Sequence, residues 1–154
     1  MQILSKYISD KFFRVYDVNG VYKSMITYSA NDNRINTILF QNLTGDEVEY
    51  NLRVKDFLLI NANDFDAYNS LAWSFAIYID NMQKLNEAEK WIEQAITINN
   101  NYAYNDTFAW ILFKEKKYKQ ALAIAEKAIS LAKTTGEDYS GTTQLIEKIK
   151  AIKE

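Results

Sequence analysis

The clearest pattern of apolar and polar positions lies in residues 102–131, where apolar residues recur at the spacing of an α-helix. One stretch contains Phe108, Ala109, Leu112 and Phe113, and a second contains Tyr118, Ala121, Leu122, Ala125, Ala128 and Ile129. The polar residues 115–117 separate the two stretches. This pattern predicts two amphipathic helices joined by a short turn, and the alanines of the second helix predict the close approach of a neighbouring helix.

The same spacing resembles the tetratricopeptide repeat (TPR), a pair of helices with a hydrophobic and then a small residue on the first helix, and alanine, a large residue and alanine on the second. In residues 102–135 these positions hold Phe108 and Ala109, then Ala121, Ala125 and Ala128. The resemblance implies an all-α fold, a TPR-like α-α superhelix of stacked helix pairs. It also implies that the protein binds another polypeptide.

Residues 65–101 resemble a second repeat of this kind. The matching positions are Leu71 and Ala72 on the first helix, then Ala88, Ile92 and Ala95 on the second. The segment IYIDNMQK between the helices is about four residues longer than the family pattern, so we expect an extended first helix or an enlarged turn. The chain has no proline, and we expect asparagine, aspartate and glycine to end its helices.

Residues 31–64 span one repeat period and resemble the family only in outline. The stretch VEYNLRV alternates apolar and polar residues as a half-buried strand would. However, Gly45-Asp46 falls where the turn between two helices belongs, and this favours a helix pair. Because Tyr50 and Phe57 occupy the small-residue positions of the second helix, we expect a degenerate repeat with looser packing.

The N-terminal segment, residues 1–30, permits two interpretations. Its apolar positions favour helices: Ile3, Tyr7, Ile8, Phe12 and Val15. Asn19-Gly20, between stretches rich in β-branched and aromatic residues, is typical of a hairpin. The alternative fold class is therefore α+β with an N-terminal antiparallel hairpin or meander.

The C-terminal segment, residues 136–154, predicts a single capping helix. Its apolar stripe consists of Leu145, Ile146, Ile149 and Ile152. One apolar face and charged residues elsewhere are what the end of a helical solenoid needs. We expect the chain to form one continuous domain that ends with this helix.

Three short stretches, NSLAW, NDTFAWILFK and GEDYS, resemble the helical C-terminal part of some bacterial thioredoxin-like proteins. The chain has no cysteine, so the Cys-x-x-Cys motif of the redox domain is missing and no oxidoreductase activity is implied. This resemblance implies an alternative function, as a structural or dimerising helical tail of a larger protein.

Composition removes several classes of function. The chain has neither histidine nor cysteine and a formal net charge of -2, so we expect no enzyme, no cofactor, no metal site and no nucleic-acid partner. A possible calcium cluster lacks the glycine and terminal glutamate of an EF-hand, and helix capping accounts for its members: Asn61, Asn63, Asp64 and Asp66. No apolar run is long enough to span a bilayer, so we expect a soluble protein, either cytoplasmic or a mature periplasmic fragment.

Stacked repeats place their first helices along a concave face, and helical periodicity predicts which residues point into it. The candidate protein-binding residues are Asn69, Trp73, Ile77, Asp106, Trp110, Phe113 and Lys114, with Asp66, Ala76 and Ala103 beside them. Each tryptophan follows a polar residue by one turn, a combination able to hold an extended peptide by stacking and hydrogen bonds. The alternative is that both tryptophans belong to the core and that Asp106 only complements a helix dipole.

Overall fold

A computed structural model describes residues 30–152, which form seven α-helices and no strand. The helices are α1 (Ala30–Thr44), α2 (Glu47–Ile60), α3 (Phe65–Tyr78), α4 (Met82–Ile98), α5 (Tyr102–Lys114), α6 (Tyr118–Thr135) and α7 (Ser140–Ile152). The all-α prediction is confirmed for these residues, and VEYNLRV lies in α2 rather than in a strand. The choice between helix and hairpin at residues 1–29 falls outside the described part of the chain. None of the seven helices is long and apolar enough to cross a membrane.

The chain divides into two compact units, with the boundary between Ile60 and Asn61. In the first unit, α1 and α2 are joined at Gly45, whose φ of 75° lies in the left-handed region that glycine tolerates. Tyr50 and Phe57, which we expected to loosen this pair, are fully buried. Large side chains therefore fill core positions at which the family pattern has small ones.

In the second unit, short polar side chains cap the first three helices, as the absence of proline predicts. The caps are Asp64 of α3, Asn81 of α4 and Asn101 of α5. Each side chain accepts a hydrogen bond from a backbone N–H in the first turn, at 3.0, 3.1 and 2.9 Å respectively. Such a cap stabilises a helix by about 1 kcal/mol. Asp64 is therefore a helix cap.

The turns within the two helix pairs of this unit have the same length, residues 79–81 and residues 115–117. The structure thus has a short turn after α3, in place of the enlarged turn or extended helix expected there. Asn81 caps α4 only two residues after the buried Ile79, so the turn is confined to three residues.

Alanines form much of the core, as their spacing predicts. The fully buried ones include Ala72, Ala88, Ala109, Ala121, Ala125 and Ala128. Leu145 and Ile149 of α7 join the core cluster of α5 and α6, so α7 covers that pair as a cap. Ile152, the last residue of the predicted apolar stripe, is half-exposed and does not join this core cluster.

An ion pair links α4 to the turn between α5 and α6. The Lys117 ammonium lies 2.7 Å from a Glu89 carboxylate oxygen and 2.9 Å from one of Glu115, whose side chain is fully buried. Burial raises the pKa of Glu115, and the neighbouring Lys117 opposes that shift. Lys117 therefore compensates a carboxylate that water does not reach.

Candidate functional site

The helices α3 and α5 lie side by side and run in the same direction. Three contacts join them near the beginning, middle and end of both helices: Asp66 with Tyr104, Trp73 with Trp110, and Ile79 with Lys114. The Tyr104 hydroxyl donates to Asp66 Oδ1 at 2.6 Å, the two indole centroids are 6.4 Å apart, and Lys114 Nζ donates to the Ile79 carbonyl at 2.7 Å. Because the contacts follow the same order in both helices, the helices are parallel.

The last helix, α7, continues this row beside α5. The Thr142 hydroxyl donates to Asp106 Oδ1 at 2.6 Å, and Lys148 Nζ lies 4.9 Å from the centroid of the Trp110 ring. These two contacts occur in the same order along α5 and along α7, so the two helices are parallel. We call the outer side of this row the first-helix face; its residues are Asn69, Trp73 and Ile77 of α3, Asp106, Trp110, Phe113 and Lys114 of α5, and Lys148 of α7.

Trp73, Trp110 and Phe113 form an aromatic platform on the first-helix face. Trp110 packs edge to face against both Trp73 and Phe113, with an interplanar angle of 83° in each case. Trp73 is 37% exposed, whereas Trp110 and Phe113 are half-buried and pack against the core of α5, α6 and α7. The two interpretations of the aromatics thus apply to different rings, because Trp73 belongs to the surface and the other two contribute to the core as well.

Asp106 joins α5 to α7. It is half-buried and accepts the hydrogen bond from Thr142, whose hydroxyl also lies 3.0 Å from that of Tyr102. Burial raises the pKa of Asp106, and the hydrogen bond from Thr142 opposes the shift. Asp106 is the fifth residue of α5, beyond the first turn in which a helix dipole acts, so the hydroxyl of the next helix is the partner that the structure gives it.

The other predicted residues of the face differ in accessibility. Ile77 is 44% exposed, whereas Ala76 is buried and does not contribute to the face. Asn69 is half-buried, and its Oδ1 has no hydrogen-bond donor within residues 30–152. Lys114 binds both the Ile79 carbonyl and the Asp80 carboxylate, the latter at 2.7 Å, so its charge is compensated within the chain.

Sequence reasoning missed four residues that shape the first-helix face: Tyr102, Tyr104, Thr142 and Lys148. Tyr104 is buried, and burial together with its hydrogen bond to Asp66 raises its pKa to about 12. The residues bonded to Asp66 and Asp106 are 38 and 36 positions away in the chain, so only the alignment of one helix pair with the next could have pointed to them.

Comparison with known families gives a match to the tetratricopeptide repeat over residues 76–102 and 104–135. The first match runs from the end of α3 through α4, and the second covers most of α5 and all of α6. No curated protein and no solved structure matches the chain. The helix pairs, their buried alanines and the parallel first helices agree with the family match. Residues 76–102 and 104–135 therefore carry tetratricopeptide repeats.

Proposed function

We propose that this protein binds a polypeptide partner on the first-helix face and has no catalytic step of its own. Tetratricopeptide repeats generally mediate protein–protein interaction. The observation that carries the proposal for this face is Trp73, a large ring that is 37% exposed beside Trp110. Tryptophan is enriched among the residues that dominate binding energy at protein interfaces.

An extended segment that crosses α3 and α5 would cover the exposed parts of this surface. It would bury the Trp73 ring and Ile77, and removing apolar area from water stabilises the complex by about 25 cal/mol per Å² before the costs of association. Asn69 adds a polar contribution, because its Oδ1 lacks a donor and a backbone N–H of the segment could supply one after rotation of the amide.

Selection from a random peptide library against the full chain tests the proposal. NMR titration of the selected peptides should move the indole N–H signals of Trp73 and Trp110. The signal of Trp91, which is 8% exposed and packs against Phe75, should stay in place and serve as an internal reference.

Two variants complete the test. Trp73→Ala should weaken binding about tenfold or more, as expected for an interface residue worth over 1 kcal/mol. Ile98→Ala, which removes a 65% exposed side chain at the end of α4, should leave the affinity unchanged. Selected peptides that bind Trp73→Ala as tightly as the unmodified chain would show that the partner lies elsewhere.

The alternative function, a structural or dimerising tail of a larger thioredoxin-like protein, uses the same exposed ring in a different way. Analytical ultracentrifugation separates the two. A monomer at all concentrations excludes self-association, whereas a dimer that Trp73→Ala dissociates would favour the alternative.

A further inference from the structure

We propose that the polypeptide bound on the first-helix face presents a lysine or arginine side chain to the aromatic platform, with its charge directed toward Asp66 and Asp106. The inference rests on the proposed function, because it names the chemistry of the partner that the same face binds. Its three supports are the rings, the carboxylates near them, and the state of the lysines on the face.

The rings of the platform can bind a cation, and one of them already does. Lys148 Nζ lies 4.9 Å from the centroid of the Trp110 ring, close enough for a cation–π interaction. No cation of residues 30–152 lies over the Trp73 ring, which is the more exposed of the two. A cation from the partner therefore finds Trp73 open and competes with Lys148 for Trp110.

Carboxylates gather at the N-terminal end of the three parallel helices. They are the side chains of Asp64, Asp66, Asp106, Glu137 and Asp138. After burial, their negative charge is a further cause that raises the pKa of the nearby phenols of Tyr102 and Tyr104. Carboxylates of one sign at one end of a face attract a cationic segment and direct its approach.

Two of these carboxylates lack a cationic partner. Within residues 30–152, Asp66 and Asp106 accept hydrogen bonds from hydroxyl groups and form no ion pair with a lysine or arginine. Nor does this part of the chain bring three acidic side chains close enough together to hold a metal ion. The cation that fits is therefore carried by a side chain.

The lysines of the face are poorly placed to bind an acidic partner. The Lys114 ammonium is already held by the Asp80 carboxylate and the Ile79 carbonyl. The Lys148 ammonium lies against Trp110. An acidic segment could bind Lys114 only by separating its contacts with Asp80 and Ile79, whereas a basic segment meets carboxylates that have no cation to lose.

The spacing on α5 fits one basic side chain. Asp106 precedes Trp110 by four residues, about 6 Å along the helix axis. A lysine whose methylene groups lie on the ring can therefore extend its ammonium group toward the carboxylate.

Three matched peptides serve as probes, Gly-Ser-Leu-Lys-Leu-Lys-Leu-Ser-Gly and its analogues with both lysines replaced by glutamate or by norleucine. The full-length protein is titrated with each peptide, and the indole N–H signals of Trp73, Trp110 and Trp91 are followed. The lysine peptide should move the Trp73 signal at a concentration about tenfold lower than the glutamate peptide, and added salt should reduce the difference.

Variants of the face test which sign of charge it binds. Lys148→Met removes a competing cation, so it should tighten binding of the lysine peptide by about threefold, while Lys150→Met on the same helix should not. Asp106→Asn keeps an acceptor for Thr142 but loses the charge, so it should weaken binding of the lysine peptide by about threefold or more. Urea unfolding of each variant shows whether the fold is retained.

Three results would overturn the inference. If the glutamate peptide binds more tightly and Lys148→Met weakens it, the partner is acidic, and the proposed function of the face survives. If the norleucine peptide binds as tightly as the lysine peptide, or if none of the three moves the Trp73 signal, the face does not select a cation. The peptide-library selection with Trp73→Ala then decides independently whether the face binds polypeptides.

Discussion

Trp73 and Trp110 are each the ninth residue of their helix, and their indole rings meet edge to face at 6.4 Å. The edge of an aromatic ring is electropositive and its face electronegative, which makes this arrangement favourable. Because α3 and α5 are parallel, equivalent positions of two successive repeats come together on one surface. A surface built in this way needs no residue from a loop.

Alanine substitution of two tryptophans should separate surface from core. Trp91→Ala removes a ring that is 8% exposed and packs against Phe75 at 5.1 Å, and we expect it to lower the free energy of unfolding by about 3–5 kcal/mol. Trp73→Ala should cost about 1 kcal/mol, since much of that ring already contacts water. Urea titration followed by far-ultraviolet circular dichroism measures both values. Equal losses would mean that Trp73 is a core residue in solution.

Removing the hydroxyl of Thr142 should loosen the contact between α5 and α7. Thr142→Val keeps the shape of this fully buried side chain but leaves Asp106 without its donor, at a cost of about 1–3 kcal/mol. Relative to the unmodified protein, Thr142→Val should increase the rate of amide hydrogen exchange more in α7 than in α3. Thr142→Ser, which keeps the hydroxyl, should restore most of the protection, and failure to do so would point to the methyl group instead.

Alkaline pH should destabilise the fold through Tyr104. Its pKa in the folded state is raised to about 12 from 10.0, so the unfolded chain loses the phenolic proton first. The stability from this group is complete below about pH 10 and is lost as pH rises through about 12. Between about pH 9 and about pH 11 the unmodified protein should lose about 1 kcal/mol more than Tyr104→Phe.

Only the difference between the two losses of unfolding free energy reports on Tyr104, because other tyrosines and the lysines also titrate in this range. Urea unfolding at both pH values supplies it. Parallel losses in the two proteins would mean that Tyr104 ionises as readily in the folded state as in the unfolded one.

Two glycines should respond to alanine in opposite directions. Gly136 ends α6 with a φ of 77°, so Gly136→Ala should cost about 1 kcal/mol in backbone strain. Gly141 lies within α7, where alanine is the better helix former, so Gly141→Ala should stabilise by up to about 1 kcal/mol. A Cβ would meet no atom within 4 Å at either position, which leaves backbone conformation as the cause. Melting temperatures that move in the same direction would contradict this.

Much of the fold could be predicted because it depends on local periodicity. The turn at residues 115–117 and the buried Ala121 and Ala125 follow directly from helical spacing. In α2 the alternation of VEYNLRV resembled a strand, and the turn residues before it gave the better indication. The length of the turn after α3 could not be read from the sequence, because it depends on where Asn81 caps the next helix.

The candidate site was predictable only in part. Trp73 and Trp110 were correctly aligned, since both positions follow from the repeat pattern. The repeat pattern predicts Ala76 beside Ile77 on the face, but Ala76 is buried, because adjacent residues point about 100° apart around the helix. The contacts of Thr142 and Lys148 depend on how α7 aligns with α5 and on side-chain conformation, neither of which helical spacing determines.

The hydrogen bonds between α5 and α7 have a fixed direction. A threonine hydroxyl carries one proton, and Thr142 gives that proton to Asp106, so Tyr102 must donate its own to Thr142. Loss of the Tyr102 proton would leave two oxygen atoms facing each other with no hydrogen between them. Two successive hydrogen bonds, each with a defined donor, thus join the end of this helical row. Both persist while Tyr102 stays neutral and Asp106 stays ionised.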